Sequence, residues 1–211
     1  MRVLDLCAGE LGWSKIFAAR GHQCICVDLK EPKEITPGCE FIRCDVLQLK
    51  TFGDRIGVPA QLFGALASWE FDFGIASTPC EEFALFGMAH FHPDPPYPEL
   101  GIRLFNHSRG LFESIGKPYL MENVRAAQQF VGKAVNHCGS FHLWGNAVPP
   151  LLPQGVTKGF KHREMFAHDR TNRSKVSATI PPELATCVAA YAESLLEQRA
   201  EQRPLHREAA K

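Results

Sequence analysis

One cysteine stands where a nucleophile would be useful. In FDFGIASTPCEEFALFG, residues 71–87, an apolar run ends in Ser-Thr-Pro and Cys80 follows at once. An apolar run of this length reads as a buried strand, so Cys80 falls at a strand's carboxyl end. A thiolate there is a strong nucleophile, whereas a thiol with an ordinary pKa of about 8.5 must be activated or held for proton transfer. About forty residues on, Met121-Glu122-Asn123-Val124 closes a second short apolar run and brings a carboxyl group and an amide to another strand end.

A second constellation lies near the N-terminus. Asp5-Leu-Cys-Ala-Gly-Glu-Leu-Gly12 follows a first apolar run and leads into a helix-like segment. Gly9 and Gly12 permit a tight turn and close approach of backbone to a ligand. Asp28, about 20 residues past the glycines, suits a ribose diol. Asp45, in Arg43-Cys-Asp-Val46, stands where an adenine amine would be met. Together these suit an adenosine-bearing ligand; read blandly, they are turn glycines and capping acids. The phosphate-loop pattern GxxxxGK[ST] is absent, which argues against a nucleoside triphosphate.

The elements that must position these residues alternate. Strands are expected at Arg2–Leu6, Cys24–Val27, Phe71–Ala76 and Tyr119–Met121, and helices at Ser14–Arg20 and Pro98–Ile115. Strands alternating with helices imply an α/β fold with a mostly parallel, doubly wound sheet covered on both faces. Such sheets bind ligands at the carboxyl ends of their strands, where the residues above fall. Residues 144–176 read as an irregular excursion. A last helix begins at Pro181-Pro182-Glu183 and carries Leu184, Val188, Tyr191 and Leu195 on one face, and residues 199–211 read as a flexible tail. The expected organisation is one domain over residues 1–198.

Composition narrows the classes. The 211 residues are 45% hydrophobic and 22% charged, as in a globular protein with one core. No apolar run is long enough to cross a membrane, and the N-terminus has no signal-peptide pattern, so a cytosolic setting is expected and the eight cysteines are read as thiols. Net charge is zero, which argues against coating nucleic acid by bulk electrostatics. A basic run at 158–175 reads as a solvated loop or a local nucleic-acid contact. Cys24, Cys26, Cys39 and Cys44 lack paired CxxC spacing, so no metal is expected. His90 and His92 read as solvated loop residues, Trp144 as a packing residue, and Arg125 as a solvated side chain or a phosphate contact.

These motifs, in this order, resemble those of the DNA cytosine-C5 methyltransferases, in particular compact phage-type forms, over about residues 1–196. DLCAGELGW (5–13) resembles the family's S-adenosylmethionine loop, STPCEEFA (77–84) its PPCQxFS catalytic segment, and MENV (121–124) its ENV segment. LWGN (143–146) and IPPELA (180–185) resemble later stretches of the phage forms. The resemblance implies a class I, Rossmann-like methyltransferase domain with S-adenosyl-L-methionine as cofactor and DNA as partner. It implies Asp5, Cys7, Ala8, Gly9, Gly12, Trp13, Asp28, Leu29, Asp45, Val46 and Phe83 as cofactor contacts. It implies Cys80 as the thiol that adds to cytosine C6, with Pro79 shaping the pocket, Glu122 holding the N3/N4 edge of the base, and Asn123 positioning the segment. Phe83–Pro98 would be a loop closing over an extruded base, hinged at Gly87. Leu11 stands in place of a glycine, Thr78 in place of the first proline, and Glu81 in place of a glutamine. The family's Gln-x-Arg-x-Arg segment has no clear match, with Arg163 and His142 both candidates for its role. A separate target-recognition domain is missing, which would suit single-stranded or mismatched DNA, where extruding a base costs less.

Overall fold

The computed structural model describes residues 1–58, 67–88, 90–156 and 179–208. Arg163 and the whole basic run at 158–175 lie outside them. The elements are β1 (Arg2–Leu6), α1 (Ser14–Ala19), β2 (Gln23–Asp28), β3 (Cys39–Arg43), β4 (Lys50–Phe52), β5 (Arg55–Val58), β6 (Ala67–Trp69), β7 (Phe73–Ser77), α2 (Glu81–Phe86), α3 (Glu99–Ile115), β8 (Tyr119–Asn123), α4 (Gln128–Val131), β9 (Asn136–Cys138), β10 (Phe141–Gly145) and α5 (Pro182–Glu208).

Seven strands form the main sheet in the order β3-β2-β1-β7-β8-β10-β9. The first five are mutually parallel, and β10 runs antiparallel to both β8 and β9. The architecture is α/β with a mostly parallel mixed sheet, compatible with a Rossmann-like fold. Side-chain alternation along each strand builds two cores. On one face Val3, Cys24, Cys26, Phe73, Ile75 and Leu143 pack with Phe17 of α1 and Leu184, Val188 and Ala192 of α5. On the other, Leu4, Leu6, Val27, Ala76 and Met121 pack with Leu104, Phe105 and Phe112 of α3. The connection from β3 to β7 carries a small antiparallel sheet, β4-β5-β6, whose Ile56 and Val58 join the second core.

Chain order reverses between β1 and β7: the chain winds from β1 outward to β3, then returns to β7 on the other side of β1. At such a switch point the loops leaving two neighbouring strands turn to opposite faces and open a crevice between them. The loop after β1 is the glycine loop, and the loop after β7 carries Cys80.

Three expectations are revised. Residues 83–86 are helical in α2, so the segment expected to close as a loop starts with a helix and opens only at Gly87. The irregular excursion begins after Gly145, because Trp144 and Gly145 end β10. The last helix runs through Glu208, past the expected end near 198; Ala200, Glu201, Gln202 and Arg203 are good helix formers and continue it.

Candidate functional site at the carboxyl edge of the sheet

The glycine loop is wound tightly and held from both sides. Cys7, Gly9 and Leu11 have φ of 56°, 53° and 61°, the left-handed region that glycine enters freely and other residues enter at a cost of about 1–2 kcal/mol. Leu11 therefore holds a backbone shape that glycine favours, and its side chain is fully buried. The Ala8 amide donates to the Val27 carbonyl at 3.2 Å, and the Leu11 amide to the Ala8 carbonyl at 2.9 Å. A Cβ on Gly12 would sit 3.1 Å from Cβ of Ile180, so Gly12 is the gap that lets the start of the last helix close on the loop. Around Gly9 a Cβ would meet nothing within 4 Å, so the loop's crest is open.

Asp5 is buried inside this turn. Ser14 Oγ donates to its Oδ2 at 2.6 Å, and Oδ1 has no hydrogen-bond partner. Burial is the main reason its carboxyl is pushed up to about 7, with the Ser14 hydrogen bond working against the shift. Cys7 is half-buried, and its thiol is pushed up by burial and then by Asp28, Asp5 and Asp45, which makes it an inert packing thiol.

The two acids beyond the loop have local duties. Asp28 Oδ2 accepts the Gly9 amide at 2.9 Å and its Oδ1 accepts the Lys30 amide at 3.0 Å, so it fastens the glycine loop to the end of β2. Leu29 beside it is 62% exposed, an apolar surface at the loop's rim. Asp45 caps the 3-10 turn Val46–Gln48, accepting the Leu47 amide at 2.9 Å, while Val46 is buried in the second core.

Across the switch point, Trp13 Nε1 donates to Ser77 Oγ at 2.8 Å, joining the glycine loop to the end of β7. Pro79 follows, exposed, and Cys80, half-buried, occupies the N-cap of α2, with its carbonyl accepting the Ala84 amide at 2.8 Å. Phe83 has no exposed surface; it packs on Phe130 and against Gly101 of α3, so α2 is anchored by a ring that offers no face to a ligand. Glu82 Oε2 accepts the Gly101 amide at 2.8 Å and adds a second anchor.

The strand ends of β7 and β8 are clamped. Ser77 lies opposite Glu122 in the parallel register. Fully buried Asn123 donates through Nδ2 to the Thr78 carbonyl at 2.9 Å and to Thr78 Oγ1 at 3.0 Å, and its Oδ1 accepts the Val124 amide at 2.8 Å. Glu122, half-buried, is also opposite Leu143 of β10. Among the sequence-derived residues described, the strand ends therefore bring the glycine loop, Asp28, Cys80 and Glu122 to one edge.

No protein-family model matches the chain, and no curated protein matches it. Among the described residues, no group of three or more His, Cys, Asp or Glu side chains is placed to hold a metal ion, and no helix is long and apolar enough to cross a membrane.

Reading the sequence missed Thr78, Ser77, Ser14 and Ile180, each of which holds a site residue in place. The Ser77-Thr78 pair just before Pro79 and Cys80 was the available signal; Ser14, nine residues from Asp5, and Ile180 carried none. Trp144 is a packing residue as expected: it is buried, meets Phe105 edge-on at 5.1 Å and donates to the Gly132 carbonyl at 2.8 Å. Its neighbour Asn146 accepts the Tyr119 amide at 2.8 Å and so ties the end of β10 to the start of β8.

Proposed function

We propose that this chain is a class I, S-adenosylmethionine-dependent methyltransferase acting on C5 of cytosine in DNA, a member of the family its motifs resemble. The observation that carries the reading is the Asn123–Thr78 clamp. It joins the segment bearing Cys80 to the segment bearing Glu122, next to the glycine loop, by contacts that the separate motifs alone would not require.

The residues present fit the cofactor. The open crest at Gly9, the exposed Leu29 beside Asp28 and the unpartnered buried oxygen of Asp5 suit a ligand with an apolar face and hydroxyl and cationic groups. Gly9, Asp28 and Leu29 would hold it. When bound, S-adenosylmethionine supplies an electrophilic methyl group. Leu11 does not count against binding, because the loop keeps its left-handed turn there.

In this reading Cys80 Sγ bonds to cytosine C6, which gives C5 the character of an enamine carbon. C5 would then take the methyl group as its bond to the donor's sulfonium sulfur breaks and leaves a thioether, a base would remove the C5 proton, and the Sγ–C6 bond would break with the thiolate leaving. Glu122 holds the N3/N4 edge of the base and Asn123 keeps both segments in register. Splitting the reaction this way is necessary because an aromatic cytosine carbon is a poor nucleophile on its own. Arg163 falls outside the described residues. His142, opposite Asn123 in the β8–β10 register, is the described candidate for the role left open by the missing Gln-x-Arg-x-Arg segment.

The test is transfer of tritium from methyl-labelled S-adenosylmethionine to unmodified DNA, with Cys80→Ala in parallel. Label in 5-methylcytosine, lost in the variant, supports the reading. Label appearing only in RNA or a cytidine nucleotide redirects the acceptor, and failure to bind the cofactor at all removes the enzyme reading.

A further inference from the structure

Next to the clamp lies a groove that the chemistry above leaves unused. Two adjoining cavities, of about 580 and 470 Å³, share Arg125 and Gln128. One extends over Asn136, His137 and His142 of the β9–β10 hairpin, and the other reaches Gly87 at the end of α2, the helix that Cys80 caps. Among the described residues no aspartate or glutamate lines either cavity. In a chain whose acids and bases balance at 23 each, that is a local departure. Arg125 is exposed, and no described carboxylate lies within ion-pair distance of it. The rings of His137 and His142 stand 5.1 Å apart at the same end. His142 is only 7% exposed, and its pKa is lowered first by burial, with His137 and Arg125 pushing the same way. Arg125 thus brings a positive charge to the groove with no described anion in its lining, and burial keeps the neighbouring His142 toward its neutral form.

We propose that this groove binds the phosphates of a single nucleic-acid strand, with Arg125 as its central contact. A planar guanidinium matches a phosphate through two parallel hydrogen bonds, which an exposed, unpaired arginine is free to make. Arg125 lies two residues beyond Asn123, so a base presented to Cys80 and Glu122 carries its own backbone toward the groove. Two connected cavities hold more than one phosphate, which favours a strand over a lone nucleotide. The inference rests on the methyltransferase reading only for the identity of the base; the phosphate contact rests on charge and shape.

The experiment is fluorescence anisotropy with the full chain and a short labelled oligothymidylate. It contains no cytosine, so binding reports the backbone and not the target base. Arg125→Ala should weaken binding about tenfold and lower the slope of log affinity against log salt by about one. Arg125→Lys should recover part of the loss. Thermal melting checks that the variants fold, and Arg125→Gln serves if the alanine variant does not. Unchanged affinity and slope in the Arg125 variants overturn the proposal, as does no binding by the parent chain. Thymidine monophosphate binding as tightly as the oligomer overturns the strand and leaves a mononucleotide. A fully paired duplex binding more tightly than the single strand overturns strand selectivity. Loss of methyl transfer with Arg125-dependent binding intact would sink the reaction and leave the groove standing.

Discussion

Trp13 Nε1 donates to Ser77 Oγ at 2.8 Å, and this one bond spans the switch point between the two halves of the sheet. Trp13 belongs to the glycine loop and Ser77 ends the strand that delivers Cys80. The candidate cofactor loop and the candidate nucleophile are therefore parts of one hydrogen-bonded unit. Trp13→Phe deletes the donor and part of the buried ring. It should destabilise the protein by more than the roughly 1 kcal/mol net worth of such a bond, because the smaller ring leaves a cavity, and weaken S-adenosylmethionine binding. Ser77→Ala deletes only the acceptor and should cost about 1 kcal/mol. Urea denaturation and calorimetric titration measure the two effects.

The clamp at Asn123 is more costly to break. Asn123→Ala leaves the buried Thr78 carbonyl and hydroxyl without their donor, which should cost about 1–3 kcal/mol. Thr78→Val removes only the hydroxyl and should cost about 1 kcal/mol. A double-mutant cycle on the two should show clear coupling, because both substitutions act on one pair of bonds. Additive losses would mean that the two side chains act separately.

Gly12 and Ile180 form a tight fit between the glycine loop and the start of α5. Gly12→Val places branched carbon where Ile180 already stands, with 3.1 Å available at Cβ, and should destabilise by about 1–3 kcal/mol. Ile180→Ala in the same chain opens that space and should recover part of the loss. Urea midpoints of the single and double variants test this.

Asp5 makes stability depend on pH. Burial raises its folded pKa to about 7 from an ordinary 3.8, so the folded protein holds this proton more tightly than the unfolded chain. The folded state is favoured most when Asp5 is protonated in both states. Stability from this group then falls as pH rises between about 4 and 7 and stays level above. Asp5→Asn should flatten that decline, read as urea midpoints across the window.

How much of this the sequence discloses depends on the range of each interaction. β1 was legible to the residue because Arg2–Leu6 is a short apolar run bounded by a turn signal. α3 was legible because its periodic face ends at Gly116, whose φ of 72° stops the helix. The small strands β4, β5 and β6 were not, since three- or four-residue segments carry too little periodicity. The reversed strand β10 was not, because FHLWG is apolar without alternation and its direction is fixed only by pairing with β8 and β9. At the site, Cys80, Glu122 and the glycine loop stood out by residue type. The contacts joining them, Trp13 to Ser77 and Asn123 to Thr78, are 64 and 45 residues apart in the chain, and no local pattern predicts them. The packing of Phe83 against Phe130 and Gly101 is likewise long-range and is not read from its place three residues past Cys80.

The claim that Cys80 activates cytosine for attack at C5 is tested most directly by the fate of the C5 hydrogen. DNA carrying tritium at cytosine C5 is incubated with the protein and unlabelled S-adenosylmethionine, and tritium released to water is compared with methyl groups gained. Release equal to methylation, with both abolished in Cys80→Ala, is the predicted result. Methyl transfer without tritium release would place the new group elsewhere on the base and contradict the account, as would release and transfer that persist without the Cys80 thiol.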